Sequence, residues 1–247
     1  MDMKQFGLIG FPLGHSFSKK YFTDKFQNEG IDAQYDLFEL KDISEFEQLN
    51  TNENLCGLNV TIPYKEQVIK YLDEVDEVAA QIGAVNVIKF LRDSGSLVLK
   101  GYNSDAIGFE KSLLPFIKPY HTKALVLGTG GASKAIFYSL IKMGIEPTYV
   151  SRTAKEHALT YQDLTKEIIE DYLVIVNASP AGTFPHVDEC PDIPYQFLTD
   201  KHVVFDAVYN PAETLFLKKA WANGAAGLNG AEMLVGQAEE AWRIWNI

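Results

Sequence analysis

The chain has 247 residues, 47% hydrophobic and 22% charged, and its 22 basic against 33 acidic residues leave a formal net charge of −11. That balance excludes nucleic acid and anionic membrane as main partners, since both need a basic surface, but leaves room for a local site that takes a small anion. No run approaches the ~18 uninterrupted apolar residues of a membrane span, and residues 1–10 lack the apolar core of a signal peptide.

Cys56 and Cys190 lie far apart and in no metal-ligand spacing, so they read as incidental thiols of a reducing compartment and no metal is expected. The expected setting is the cytoplasm. In chain order, residues 6–11 form a strand closed by Pro12 and Gly14, and 16–30 a helix with Phe22 and Phe26 on one face. Residues 34–40 alternate as a strand, 43–49 make a short helix, and 55–62 a strand ended by Pro63. Helical segments are expected over 65–72 and 73–82, then a hairpin of 84–91 and 97–100 around Arg92 to Ser96. A helix over 105–114 leads into 115–120, whose two prolines mark a bridge between domains.

From Lys123 strands and helices alternate, which predicts a parallel doubly wound sheet. Strands are expected at 124–128, 147–151, 173–177, 203–207 and 226–228, and helices at 133–143, 163–170 and 212–222. An amphipathic helix over 231–245 packs back on the first domain. The expected division is 1–102, completed by 231–247, and 103–230.

The stretch from Lys123 to Ala135 reads strand, glycine turn, helix, the context in which a glycine motif means dinucleotide binding. Gly128 allows the tight turn, while Gly130 and Gly131 let backbone approach a pyrophosphate at the helix N-terminus. Thr129 and Ala132 complete this cradle. The third glycine position is Ser133, a variant of the motif.

The next strand ends where the adenosine ribose would sit, about twenty residues after the glycines. An NAD-specific protein keeps an acid there; this chain has Ser151, Arg152 and Thr153. Arg152 can stack on adenine or pair with a 2′-phosphate, and Thr153 and Lys155 can add hydrogen bonds or charge, which favours NADP over NAD.

Four constellations in the first half are too polar for their apolar surroundings. In Gly14-His15-Ser16-Phe17-Ser18 two hydroxyls at i and i+2 would point the same way in an extended segment and could hold a carboxylate, or one of them caps the following helix. In the segment from Asn59 to Lys65, Asn59 and Thr61 share a strand face and Lys65 opens a helix; a lone Lys is also an ordinary surface charge. Asn86, in Gly83-Ala84-Val85-Asn86-Val87, sits in a buried apolar run where an amide needs partners. Asp105, in Gly101-Tyr102-Asn103-Ser104-Asp105, is either a helix cap or a functional carboxylate.

Together these motifs, HSxS, NVTxPxK, GAVN, GxN(S/T)DxxG and GxGGAxxA in this order, resemble the shikimate dehydrogenase family. The resemblance continues through Ser151 to Thr153, Asn177 to Ser179 and Met233 to Gln237, so it covers nearly the whole chain. It implies an α/β protein of two domains, an N-terminal substrate domain and a Rossmann-like NADP-binding domain, with a cleft between them. It further implies that Ser16 and Ser18 hold the substrate carboxylate and that Thr61, Asn86, Asp105 and Gln237 surround the ring hydroxyls. Lys65 and Asp105 would be the catalytic pair, Tyr209 would stand at the cleft and Gly230 beside the nicotinamide. Chemistry agrees: hydride reduction of a ketone leaves a developing alkoxide that needs a proton and a nearby positive charge, both of which Lys65 can supply. The sequence leaves open whether Lys65 gives the proton itself or acts as an electrostatic and binding group.

Departures from the family pattern are specific. Lys19 stands in place of a usual Pro, Phe22 of a frequent His, Ser151 of an Asn, and Glu156 of a second Arg beside Lys155. Facing inward, Glu156 would repel a 2′-phosphate. The segment 154–171 is too short for the usual helix and strand, so one element is expected to be lost, and in Asn229 to Met233 only Gly230 and Met233 keep the common run. The expected activity is reversible, NADP-dependent reduction of 3-dehydroshikimate to shikimate by a monomer or homodimer. Glu156 keeps a quinate/shikimate dehydrogenase using NAD as the alternative. A catalytically silent dinucleotide-binding sensor could dispense with Lys65 and Asp105, and both are present.

Overall fold

A computed structural model describes residues 3–14, 16–93 and 95–247. The chain folds into two compact units, 1–104 with 237–247, and 105–236.

The first unit runs β1 (Lys4–Gly10), α1 (Phe17–Glu29), β2 (Ala33–Glu39), β3 (Leu55–Val60), β4 (Glu74–Val75), α2 (Glu77–Ile82), β5 (Val87–Asp93) and β6 (Ser96–Tyr102). Its sheet has the order β2-β1-β3-β5-β6-β4. The first three strands are parallel, and β5 joins β3 and β6 antiparallel. Strand alternation divides the core: Ile9, Leu58 and Ile88 face one apolar cluster, and Phe6, Leu8 and Val87 face the other. The second cluster is covered by α1 and by the end of the last helix, α7 (Ala231–Trp245), through Ala238, Ala241, Ile244 and Trp245. Gly57 is where this packing leaves no room: a Cβ there would lie 2.3 Å from the Trp245 indole, whose N–H donates to the Ile88 carbonyl at 3.1 Å.

Three expected segments differ. Residues Ile43–Thr51 and Gln67–Tyr71 are 3₁₀ turns, long enough to pin Ile43, Phe46 and Val68 into the core without a regular helix. The stretch 73–82 is not one helix. Glu74 and Val75 pair with β6, and Asp76 caps α2 by accepting the Val78 N–H, so the helix begins only at Glu77.

The second unit contains α3 (Asp105–Leu113), β7 (Lys123–Leu127), α4 (Gly131–Lys142), β8 (Glu146–Ser151), β9 (Ala158–Thr160), α5 (Lys166–Asp171), β10 (Val174–Asn177), β11 (Val203–Asp206), α6 (Leu215–Ala222), β12 (Ala226–Asn229) and the first residues of α7. All its strands are parallel, in the order β12-β11-β10-β7-β8-β9. Counted from the first strand of the unit this is 3-2-1-4-5-6, the doubly wound order, with its reversal between β7 and β10. The element lost after β8 is the crossover helix. The strand survives as β9, which the sequence reading did not place, joined to β8 by residues 152–157 alone. The tight link needs His157 at φ 59 and closes with the Ala158 N–H donating to the Lys155 carbonyl at 3.3 Å.

The divisions fall at 104/105 and 236/237, a few residues beyond the expected 102/103 and 230/231. Asn103 and Ser104 stay with the first unit because their side chain and backbone donate to Ala84 and Asn86. Met233 stays with the second, packed with Phe109, and Gly236 lies against Gly108.

Candidate active site

In the first unit Ser16 is the cap of α1, its Oγ accepting the Lys19 N–H at 3.3 Å from an extended backbone. Capping uses a lone pair and leaves the hydroxyl proton to donate, so cap and anion ligand are compatible roles. Ser18 lies inside the first turn of α1, so the extended i, i+2 pair expected from the sequence does not form. His15 of the same motif is outside the described residues, as is Ser94 in the hairpin turn.

Ser18, half-buried, instead stands beside a buried hydrogen-bond network centred on Tyr35. Tyr35 is 1% exposed and stacks on Phe22 at 4.8 Å. Tyr35 donates to Asn59 Oδ1 at 2.7 Å, and Asn59 Nδ2 reaches the Asn86 carbonyl at 3.4 Å. That carbonyl can only accept, so the Asn59 amide is oriented and Tyr35 gives its proton to Asn59. Burial pushes the Tyr35 phenol well above its ordinary value, against a lowering influence of the nearby Ser18 hydroxyl. The Asn86 side chain in turn meets Ser104, and Ser104 meets Gln237. Asn59, Asn86, Ser104 and Gln237 are all buried. The structure therefore joins Asn86 to Gln237 through Ser104, and to Tyr35 through Asn59, with Ser18 beside the Tyr35 phenol.

Thr61 follows β3, half-buried, with its N–H on the Ile9 carbonyl at 2.9 Å and its methyl over Gly10, where no Cβ would fit. Lys65 follows two residues after Pro63, half-buried, and its carbonyl accepts the Val85 N–H at 2.7 Å, fixing the loop beside Asn86. Lys19 donates to the Tyr35 carbonyl and pairs with Asp36 at 3.1 Å, tying α1 to β2.

In the second unit Asp105 is the buried first residue of α3, where the helix N-terminus favours a carboxylate. The cradle is built at the ends of β7 and β10. Gly128 has φ +116, and a Cβ there would press on Ala178 and Ser179 at 3.2 Å. Gly130 precedes α4 with nothing within 4 Å of a built Cβ, so backbone can be approached closely, and Gly131 and Ala132 open the helix with Thr129 before them. Ser133 is buried at the third glycine position, and its hydroxyl is satisfied by the Gly130 carbonyl at 2.6 Å.

Ser151 is buried at the end of β8 and accepts the Thr153 N–H at 3.4 Å, while Arg152 and Thr153 are exposed. Lys155 donates to the Thr129 hydroxyl at 2.8 Å. Glu156 does not face inward: its side chain is 88% exposed and lies 3.2 Å from His157. The residues present thus fit a phosphorylated dinucleotide, with backbone N–H groups for the pyrophosphate and two cations with three hydroxyls at the ribose end.

A second buried network lies beside the glycine turn, at the ends of β10 and β11. Asn177 accepts from Ser179 and donates to Asp206 Oδ1 at 2.9 Å; Asp206 also takes the Val208 N–H at 3.0 Å and the Thr214 hydroxyl at 2.6 Å. Desolvation outweighs these three donors and pushes Asp206 up to about 6. Tyr209, exposed, leaves this braced turn. Gly230 is obligatory, since a Cβ would lie 2.3 Å from the Ala207 carbonyl oxygen, and Asn229 caps α7 by accepting the Ala231 N–H at 3.1 Å.

The fold and these sites define a two-unit α/β protein whose second unit is of the dinucleotide-binding class. The family model of the shikimate dehydrogenase substrate binding domain matches residues 8–88. The chain is 34% identical over 259 residues to the shikimate dehydrogenase (NADP(+)) of Methanosphaera stadtmanae, covering 97% of this chain and 90% of that one. The crystal structure of shikimate dehydrogenase from Aquifex aeolicus superposes with a TM-score of 0.85 at 36% identity over 99% of this chain and 92% of the other. That from Thermus thermophilus, in complex with NADP(H) and shikimate, gives 0.85 at 29% over 98% and 93%. The chain belongs to the shikimate dehydrogenase family.

Proposed function

We propose that the chain interconverts 3-dehydroshikimate and shikimate with NADP as cofactor, the step this family supplies to aromatic amino-acid biosynthesis. Kinship over nearly the full chain supports the activity. The observation that carries the substrate reading is the joining of Asn59, Asn86 and Gln237, from three distant stretches, by one buried network. Such a surface of amides and hydroxyls suits a ring bearing several hydroxyls and a carboxylate.

In this reading Ser16 and Ser18 take the carboxylate, and Thr61, Asn86 and Gln237 take ring hydroxyls. Lys65 offers positive charge and a proton to the oxygen that becomes an alkoxide, and Asp105 accepts the hydrogen bond of the reacting hydroxyl. Gly128 to Ala132 hold the pyrophosphate, Ser151, Arg152 and Thr153 the adenosine end, and Gly230 stands beside the nicotinamide, while Tyr209 contributes to substrate binding at the cleft. When bound, the nicotinamide supplies or takes the hydride. The 22 to 33 charge balance and two free thiols accord with a cytoplasmic enzyme of small molecules, monomeric or dimeric.

Steady-state rates with shikimate and with quinate, each with NADP and with NAD, test the proposal. Shikimate with NADP should dominate. Equal or greater turnover of quinate with NAD would overturn it in favour of the alternative substrate and cofactor.

A further inference from the structure

Ser104 is fully buried at the end of the first unit's main segment, beside two amides assigned above to the substrate. Its backbone N–H donates to Asn86 Oδ1 at 2.7 Å, which fixes the Asn86 amide: reversed, two donors would face each other. Asn86 Nδ2 then lies 3.0 Å from Ser104 Oγ and donates to it. The single Ser104 hydroxyl proton has two acceptors in reach, Asn86 Oδ1 at 3.3 Å and Gln237 Oε1 at 3.5 Å. Asn86 Oδ1 already takes the shorter backbone bond, so the proton is better spent on Gln237. The result is a relay in one direction, Asn86 Nδ2–H to Ser104 Oγ–H to Gln237 Oε1. It turns the Gln237 carbonyl toward Ser104 and its amide nitrogen away.

We infer that Ser104 is a positioning residue for substrate: one buried hydroxyl orients both the Asn86 and Gln237 amides so that they present N–H donors to the oxygens of a polyhydroxylated ring. The inference rests on the proposed substrate roles of Asn86 and Gln237. A hydroxyl that merely filled space would not couple the two amides.

The test is Ser104→Ala, with Ser104→Thr to restore the hydroxyl, in the full chain. Ser104→Ala should raise the KM for shikimate about tenfold, with kcat changed less than ~3-fold and NADPH affinity by fluorescence titration unchanged, as expected for loss of a buried polar contact made in binding. Ser104→Thr should recover most of the loss, and the effect of Ser104→Ala should shrink to under ~3-fold in a Gln237→Ala background. Should Ser104→Ala fail to fold, Ser104→Cys, which keeps volume and weakens the donor, is read by the same cycle. An unchanged KM in the folded variant, or effects additive with Gln237→Ala, would overturn the inference. Asn86→Ala separates this from the larger reading: if it leaves shikimate binding intact, the substrate assignment itself fails, whereas if it alone weakens binding, only the role of Ser104 fails.

Discussion

Lys155 Nζ lies 2.8 Å from the Thr129 hydroxyl, so the loop after β8 is held to the glycine turn by the side chain next to Glu156. A cation thereby reaches the cradle although the family's second Arg position carries an acid. The acid is turned to His157 and solvent.

Cofactor choice follows from that contact. Lys155→Ala should weaken NADP binding about tenfold, the scale of one charge-assisted hydrogen bond, and NAD binding less than ~3-fold. Glu156→Gln should change either by less than about twofold, because the carboxylate is solvated. Calorimetric titration with both dinucleotides checks this; equal losses for NADP and NAD in Lys155→Ala would contradict it.

Stability should depend on pH through Asp206. Burial raises its carboxyl from 3.8 to about 6, so folding favours the neutral acid. Its contribution is complete below about pH 3.8 and is lost as pH rises through about 6. At ~1.4 kcal/mol per pH unit the swing is about 3 kcal/mol. Urea unfolding of wild type and Asp206→Asn between these limits should show the wild type losing stability relative to the variant as pH rises; a difference independent of pH would contradict the assignment.

Gly230→Ala should destabilise by about 1–3 kcal/mol or more, since the new methyl meets a backbone carbonyl that cannot rotate away. Gly14→Ala, with nothing within 4 Å of its Cβ, is the control and should be near neutral. Thermal unfolding of both variants reads the contrast.

Tyr35→Phe keeps the stacking on Phe22 but strips Asn59 Oδ1 of the Tyr35 proton. A loss of about 1–3 kcal/mol is expected for the unsatisfied buried acceptor. Denaturant unfolding measures it, and a neutral result would mean that Asn59 finds another donor.

What the sequence made legible was local. The glycine turn, its flanking strand and helix, and the caps lie within a few residues of one another, and their chemistry is carried by residue type. Ser133 could be seen as a variant, though not that Gly130 would satisfy it. Tyr35 and Ser104 stayed hidden because their partners are remote: Tyr35 meets Asn59 24 residues away and Ser104 meets Gln237 133 residues away. The stretch 73–82 misled because its acidic, helix-like composition conceals a two-residue strand, and β9 was missed because three residues carry no periodicity. Of the two readings open for Ser16 and Ser18, the structure shows the helix and its cap, Ser16 capping and Ser18 inside the first turn.

The most direct measurement is the initial rate of nicotinamide reduction by the purified chain with saturating shikimate and NADP, run beside folded Lys65→Ala. The wild type should show steady turnover and the variant a fall of about 10²–10⁴-fold, the range for loss of a positioned proton donor and charge. No reduction at any substrate concentration in the wild type, or undiminished turnover without the Lys65 ammonium, would contradict it.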